Sequence, residues 1–181
     1  MEIRDSERLI LSMLIEIMEH LEINDGVDPQ FVQSALNSGN LWGLKWKYPG
    51  IFEVEETPES VVREVGNYLD MWSFLERGYE ALSEPDRERV ATDAGLAGNE
   101  VRFRGFDGNN ETDHMSAARF MINDLDRFVE FAGRDLNSHF PSIDGYQRMY
   151  DVFEPIRSTL AGRELSADEI IQILQARRFP E

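Results

Sequence analysis

The chain has 181 residues, 41% hydrophobic and 10% aromatic, with no cysteine and a formal net charge of −17. Disordered chains of high charge lack this many aromatics, so the composition is that of a folded protein. The missing cysteines exclude a disulfide scaffold, a thiolate zinc site and a cysteine nucleophile, and the acidic balance makes direct nucleic-acid binding an unfavourable reading, because that depends on Lys and Arg against phosphate.

Helical periodicity dominates in chain order. Asp5 or Ser6 is expected to cap a first helix carrying Leu9, Ile10, Leu11, Met13, Leu14, Ile17, Met18 and Leu21, ended by Asn24-Asp-Gly. Its apolar residues cover more than one face, which predicts central burial or packing against a partner. Asp28-Pro29 is a cap followed by proline at the first helical position, and opens a short helix that stops near Gly39. Trp42 to Phe52 reads as an aromatic-rich irregular segment with a Pro-Gly turn.

Thr57-Pro58 repeats the cap-plus-proline device. The helix after it places Val61, Val65, Tyr68, Trp72, Leu75, Tyr79 and Leu82 on one stripe, with spacings alternating four and three. A polar segment follows from Ser83 to about Gly98. Val101 to Phe106 is expected as a short extended arm, and residues 111–132 as a helix with His114, Ala118, Met121, Leu125, Phe128 and Ala132 on one face. After a loop at 133–141, a helix carries Tyr146, Met149, Tyr150, Phe153, Ile156 and Leu160, with Pro155 expected to kink or break it. Ser166-Ala-Asp-Glu169 is a capping box opening a last helix that ends on Arg177-Arg178. The expected fold is mainly α: a single-domain bundle of six or more helices over residues 1–181, with helix 1–24 available for oligomer packing.

These strings resemble the YfbU family of bacterial and archaeal proteins. The resemblance rests on Glu7-Arg-Leu-Ile-Leu11, the Trp42–Phe52 segment, Leu69-Asp-Met-Trp72, Gly105-Phe-Asp-Gly-Asn109, Gly133-Arg-Asp-Leu-Asn-Ser-His139, Tyr146-Gln-Arg-Met149 and Leu165-Ser-Ala-Asp-Glu-Ile-Ile171, in order along nearly the whole chain. It implies a small, cytoplasmic, α-helical protein with no established reaction and no catalytic residues to carry over. Some members of that family join the domain to a helix-turn-helix head, which implies a ligand-sensing or partner-binding module. This sequence opens directly on the domain, so a regulatory role is expected to need a separate effector.

The richest polar cluster is Asp107, Asn109, Glu111, Asp113 and His114. Hard cations take several oxygen ligands, but an EF-hand register fails, because Thr112 stands where glycine is needed and Ala118 where the bidentate Glu should be. Turn and helix-start chemistry is the better account of such a cluster. No two of the three histidines lie one helical turn apart, so no metal ligand set is assigned. His114 shares a face with Ala118 and Met121 and reads as a satisfied core histidine; His139, near Asp135, is the better candidate for exposed chemistry. No Gly-x-Ser-x-Gly elbow and no phosphate-binding glycine loop is present.

Trp42, Trp46, Tyr48 and Phe52 with Lys45 and Lys47 form a basic-aromatic island that suits packing or a pocket better than strand binding. The expected function is a non-enzymatic binding module for a small anionic ligand or a protein partner, self-associated as a homo-oligomer, away from membranes and with no cofactor class indicated. The candidate site lies between Trp42, Trp46, Tyr48 and the corner holding Asp107, Asn109, Glu111 and His114, with Arg102, Arg104, Arg134 and His139 available to clamp an anion. A hydrolase-like alternative uses Asp107, Glu111 and Asp113 with His114 or His139, with a divalent metal optional.

Overall fold

A computed structural model describes residues 2–23, 25–52, 56–96 and 100–178. Asn24 and Gly98, expected at element ends, lie outside them. The described residues hold nine α-helices and no strand, and they divide into two compact units, residues 1–56 and 57–181.

The first unit contains α1 (Asp5–His20), α2 (Pro29–Ser38), α3 (Trp42–Lys47) and α4 (Pro49–Phe52). α1 is capped through Arg4, whose backbone N–H donates to the Glu7 carboxylate at 2.8 Å, and not by Asp5 or Ser6. α2 opens as its sequence predicts. Asp28 accepts from the Phe31 N–H at 3.1 Å, Pro29 fills the first turn, and Gly39 ends the helix in the left-handed region. The Trp42–Phe52 segment, expected to be irregular, is two short helices, with Pro49 at the first position of the second, where its missing N–H is no loss. Ile15, Val32, Ala35, Leu36, Leu41 and Leu44 form the small buried cluster. The Arg8 guanidinium reaches the Leu36 carbonyl at 2.8 Å and ties α1 to α2.

The second unit is built round α5 (Glu59–Ala81), against which α7 (Thr112–Asn123), α8 (Ile143–Arg157) and α9 (Ala167–Gln175) pack; α6 (Glu84–Asp93) packs on α9. Val65, Tyr68, Trp72 and Leu75 are buried as the stripe predicts, and Leu69 and Met71 are buried as well, so α5 is covered on more than that one stripe. Its N-cap is Pro58, without a side-chain cap from Thr57.

α7 stops nine residues short of the expected end at 132. Asp126 and Phe128 adopt left-handed backbone angles, and a single 3-10 turn at Val129–Phe131 then drives Phe131, not Phe128 or Ala132, fully into the core. Leu125 is left exposed. Pro155 neither opens nor ends α8. It lies in the last turn, and Ser158 and Thr159 close the end by donating side-chain hydroxyls to the Pro155 and Ile156 carbonyls, both at 2.8 Å. α9 begins on the predicted Ser166–Glu169 capping box.

The arm at residues 100–106 forms no strand. Its one bridge is parallel, Phe106 to Asn137: the Phe106 N–H donates to Leu136 O at 3.0 Å, and the Ser138 N–H to Phe106 O at 2.9 Å. Alternation still governs it. Val101 and Phe103 are buried, while Arg102 and Arg104 stay exposed.

Candidate functional site

The Gly105–Glu111 corner is held by close backbone approach. Gly105 has φ +82°, and a Cβ there would lie 1.9 Å from the Leu136 carbonyl oxygen. Its own carbonyl accepts from Tyr146 Oη at 3.0 Å and Ser142 Oγ at 3.2 Å. The Gly108 N–H donates to Asn137 Oδ1 at 3.0 Å, and the His139 N–H donates to that same oxygen, also at 3.0 Å. Thus the 133–139 loop is docked on the corner by main-chain donors.

The acidic groups of the corner are engaged in the same work. Glu111 Oε1 accepts from the N–H groups of Ser142 (2.6 Å) and Ile143 (2.9 Å), and Oε2 accepts from Asp107 N–H (2.8 Å) and Ser142 Oγ (2.7 Å). It therefore caps the start of α8 from a distance of more than thirty residues in sequence. Burial by itself would raise the Glu111 carboxyl, but the N–H groups of Ile143, Asp107 and Ser142 and the Ser142 hydroxyl outweigh it and hold it below its ordinary value. Asp107 is held low by the Asn109 N–H at 3.0 Å and the Asn110 amide at 2.5 Å. With four donors on one carboxylate and two on the other, both serve turn and helix-start geometry.

The remaining predicted site residues separate. His114 Nε2 lies 3.0 Å from Glu64 Oε2 of α5, and the imidazole sits against Phe106 at 5.6 Å between ring centres. It is a half-buried histidine paired with α5, not a partner of Asp107, Glu111 or the exposed Asp113. The Arg134 guanidinium is committed to Glu76 by two hydrogen bonds of 2.8 Å, and Glu76 also accepts the Phe103 N–H at 2.7 Å. That fork anchors the arm and removes Arg134 from the anion clamp. Arg102, Arg104 and His139, in contrast, do come together and line one groove with Asp135, Asn137 and Ser138.

Trp42, Trp46 and Tyr48 belong to the first unit and the other candidates to the second. Trp42 and Trp46 meet edge to face at 5.4 Å and line an open groove with Phe31 and Lys47; Trp46 is 80% exposed. Tyr48 does not line that groove; it packs against Phe31 at 6.1 Å between ring centres, and its hydroxyl accepts the Asp28 N–H at 2.9 Å. Lys47 is engaged by the Asp28 carboxylate at 2.8 Å and lies over the Phe31 ring.

A second feature of the 57–181 unit escapes sequence reasoning. Arg102 and Arg104, which line the groove with Asp135 and His139, also line with Arg177 and Arg178, the residues that follow α9, a cavity of about 270 Å³ whose lining includes Trp72 of α5. Trp72 reads as core on the α5 stripe and Arg177-Arg178 as a complement to a helix dipole; nothing local marks them as neighbours. Among the described residues, no group of three or more His, Asp or Glu side chains could hold a metal ion, and no helix is long and apolar enough to cross a membrane.

The comparisons with known proteins agree with the strings set out above. The YfbU domain model matches residues 1–176. A UPF0304 protein of Methanocaldococcus jannaschii is 32% identical over 176 residues, covering 94% of this chain and 97% of its own length. The fold, the order of the strings and both matches lead to one assignment: the chain belongs to the YfbU family.

Proposed function

We propose that this YfbU-family chain is a non-enzymatic binding module that works in a self-associated form, with a regulatory role exerted through a protein partner or a small anionic ligand. The observation that carries the reading is α1. Only Ile15 of that helix is buried, while Leu9, Ile10, Met13, Leu14, Ile17 and Leu21 are each between 49% and 64% exposed. Single exposed apolar residues are ordinary, but five on one helix, with Leu21 at its C-cap, make a contiguous surface of the kind that marks an interface.

A second copy of the chain is the occupant this surface suits. Ile10, Leu14, Ile17 and Leu21 recur at spacings of four, three and four, the seam of helices packed side by side. A two-fold axis sets such a stripe against itself, the same patch on both copies. The engagement of Asp107 and Glu111 in local hydrogen bonding supports a binding role over a hydrolytic one, since four donors already occupy the Glu111 carboxylate and both Asp107 oxygens hold local turn donors.

The absence of cysteine permits a direct test. Single variants Ile10→Cys, Leu14→Cys and Ile17→Cys place one thiol on the seam, and Glu19→Cys places one off it. Mild oxidation is expected to give a covalent dimer from at least one seam variant, the one nearest the two-fold axis, and not from Glu19→Cys, because a disulfide needs Cβ atoms about 3.5–4.5 Å apart. Equal cross-linking at all four positions, or none on the seam, contradicts the reading.

A further inference from the structure

The cavity between the arm, the end of α6 and the end of α9 has the makings of a ligand site. Among the described residues, four that line it carry guanidinium groups, Arg102, Arg104, Arg177 and Arg178, and Glu100 is the one that carries a carboxylate. In a chain of net charge −17 that concentration runs against the general field. Like charges this close repel, so an anion that sits among them relieves the repulsion as well as accepting their hydrogen bonds.

Two of the four are held in place before any ligand arrives. Arg178 Nη2 donates to the carbonyls of Ala94 and Gly95 at 2.9 and 3.1 Å, just beyond the end of α6. Gly95 makes that possible, since a Cβ there would fall 2.0 Å from Arg178 Nη2 and the residue has φ +59°. The Arg177 guanidinium lies 5.7 Å from the Phe140 ring centre and 5.8 Å from that of Tyr146. A clamp fixed in this way loses little freedom on binding.

The second, independent observation is Trp72. It is 2% exposed and lines the cavity, yet its indole Nε1 has no hydrogen-bond partner among the described residues. An indole N–H is a donor only, and one buried without an acceptor is unfavourable. Leu96, Val101 and Leu174 add apolar lining to the same cavity. Guanidinium and indole donors beside apolar lining suit a small molecule with an anionic oxygen head and a short apolar body.

We propose that this cavity binds a small organic anion, a carboxylate or phosphate monoester on an apolar body, with Arg102, Arg104, Arg177 and Arg178 gripping the anionic head and Trp72 Nε1 donating to an acceptor oxygen. This rests on the ligand-binding side of the function proposed above and gives it a site and a chemical class.

The test uses the fluorescence of Trp72 in the full chain carrying Trp42→Phe and Trp46→Phe, which leaves one tryptophan. Benzoate and phenyl phosphate are the probes, with inorganic phosphate as the anion lacking an apolar body. At least one aromatic anion is expected to give a saturable change in Trp72 emission, inorganic phosphate to bind at least tenfold more weakly, and the tighter of the two aromatic probes to name the head group. Arg102→Gln with Arg104→Gln, both at exposed positions, is expected to weaken binding at least tenfold, and Gly95→Ala to weaken it by displacing Arg178. Arg119→Gln, on the exposed face of α7, should leave it unchanged. No saturable response to either aromatic probe, or one that survives the double arginine variant, overturns the site. Native mass spectrometry of gently purified protein separates the two readings. A retained small molecule indifferent to the arginine variant removes this cavity and leaves the binding-module reading standing, whereas one lost from that variant supports the cavity.

Discussion

At Gly105 the α-carbon carries a hydrogen where a methyl group would meet the Leu136 carbonyl at 1.9 Å, on a backbone with φ +82°. The left-handed angle alone costs a residue with a Cβ about 1–3 kcal/mol, and the clash with immobile backbone adds to it. Gly105→Ala is therefore expected to destabilise the 57–181 unit by at least about 3 kcal/mol, read as a lower denaturant midpoint. Glu111→Gln tests a neighbouring point, because it keeps the shape and removes the charge that four donors share. Hydrogen bonds to a charged group contribute about 1.5–3 kcal/mol, so a loss of that order is expected in urea unfolding at neutral pH. The sign with pH follows from the lowered Glu111 carboxyl. Its contribution is complete above the ordinary glutamate range and is lost as pH falls through the lower folded value, so wild type and Glu111→Gln should converge in acid. That polar residues would cluster at this corner was legible in its glycines, Asp and Asn. Their partners were not, because Leu136, Asn137 and Ser142 reach the corner from about thirty residues downstream.

Elements followed their sequence where the signal was local and departed from it where tertiary packing decided. The Ser166–Glu169 box is a case of the first kind. Glu169 accepts from the Ser166 N–H and hydroxyl and from Arg163. The Arg163 guanidinium does most to lower the Glu169 carboxyl, from 4.5 to about 2. Ser166→Ala should cost about 1 kcal/mol, a drop in Tm of roughly 2–4 °C for a chain of this size. The stabilising contribution of Glu169 is present above about pH 4.5 and should fade as pH falls toward 2, so the gap in Tm between wild type and Glu169→Gln should narrow over that interval. α7 is a case of the second kind. The apolar stripe through Leu125 and Phe128 continues in the sequence, but the helix ends at Asn123, left-handed Asp126 and Phe128 redirect the chain, and Phe131 takes the core position. α1 divides between the two. Its helix and its excess of apolar residues were readable from periodicity, while the side left uncovered is a property of how little the 1–56 unit has to pack against it.

For the whole molecule, charge and apolar surface are what the proposed binding role rests on. A chain of net charge −17 gathers four arginines around one cavity, and it leaves one entire helical stripe unpacked. The mainly α class and the family were legible because they rest on periodicity and on strings in order. The arginine cavity was not, since it assembles α5, the 100–104 arm and the end of α9 from positions some thirty to a hundred residues apart. Of the residues the sequence nominated for an anion, Arg102 and Arg104 line that cavity, whereas Arg134 is consumed by Glu76.

Self-association through α1 is the claim on which the functional account stands, and sedimentation velocity over a range of concentrations tests it most directly. Wild type should sediment as a closed dimer or higher oligomer near micromolar concentration. Leu14→Glu with Ile17→Glu, which sets carboxylates on the seam without touching a buried residue, should sediment as a folded monomer with an unchanged helical circular dichroism spectrum. A wild-type chain that stays monomeric at every concentration, or a double variant that assembles as wild type does, would contradict it.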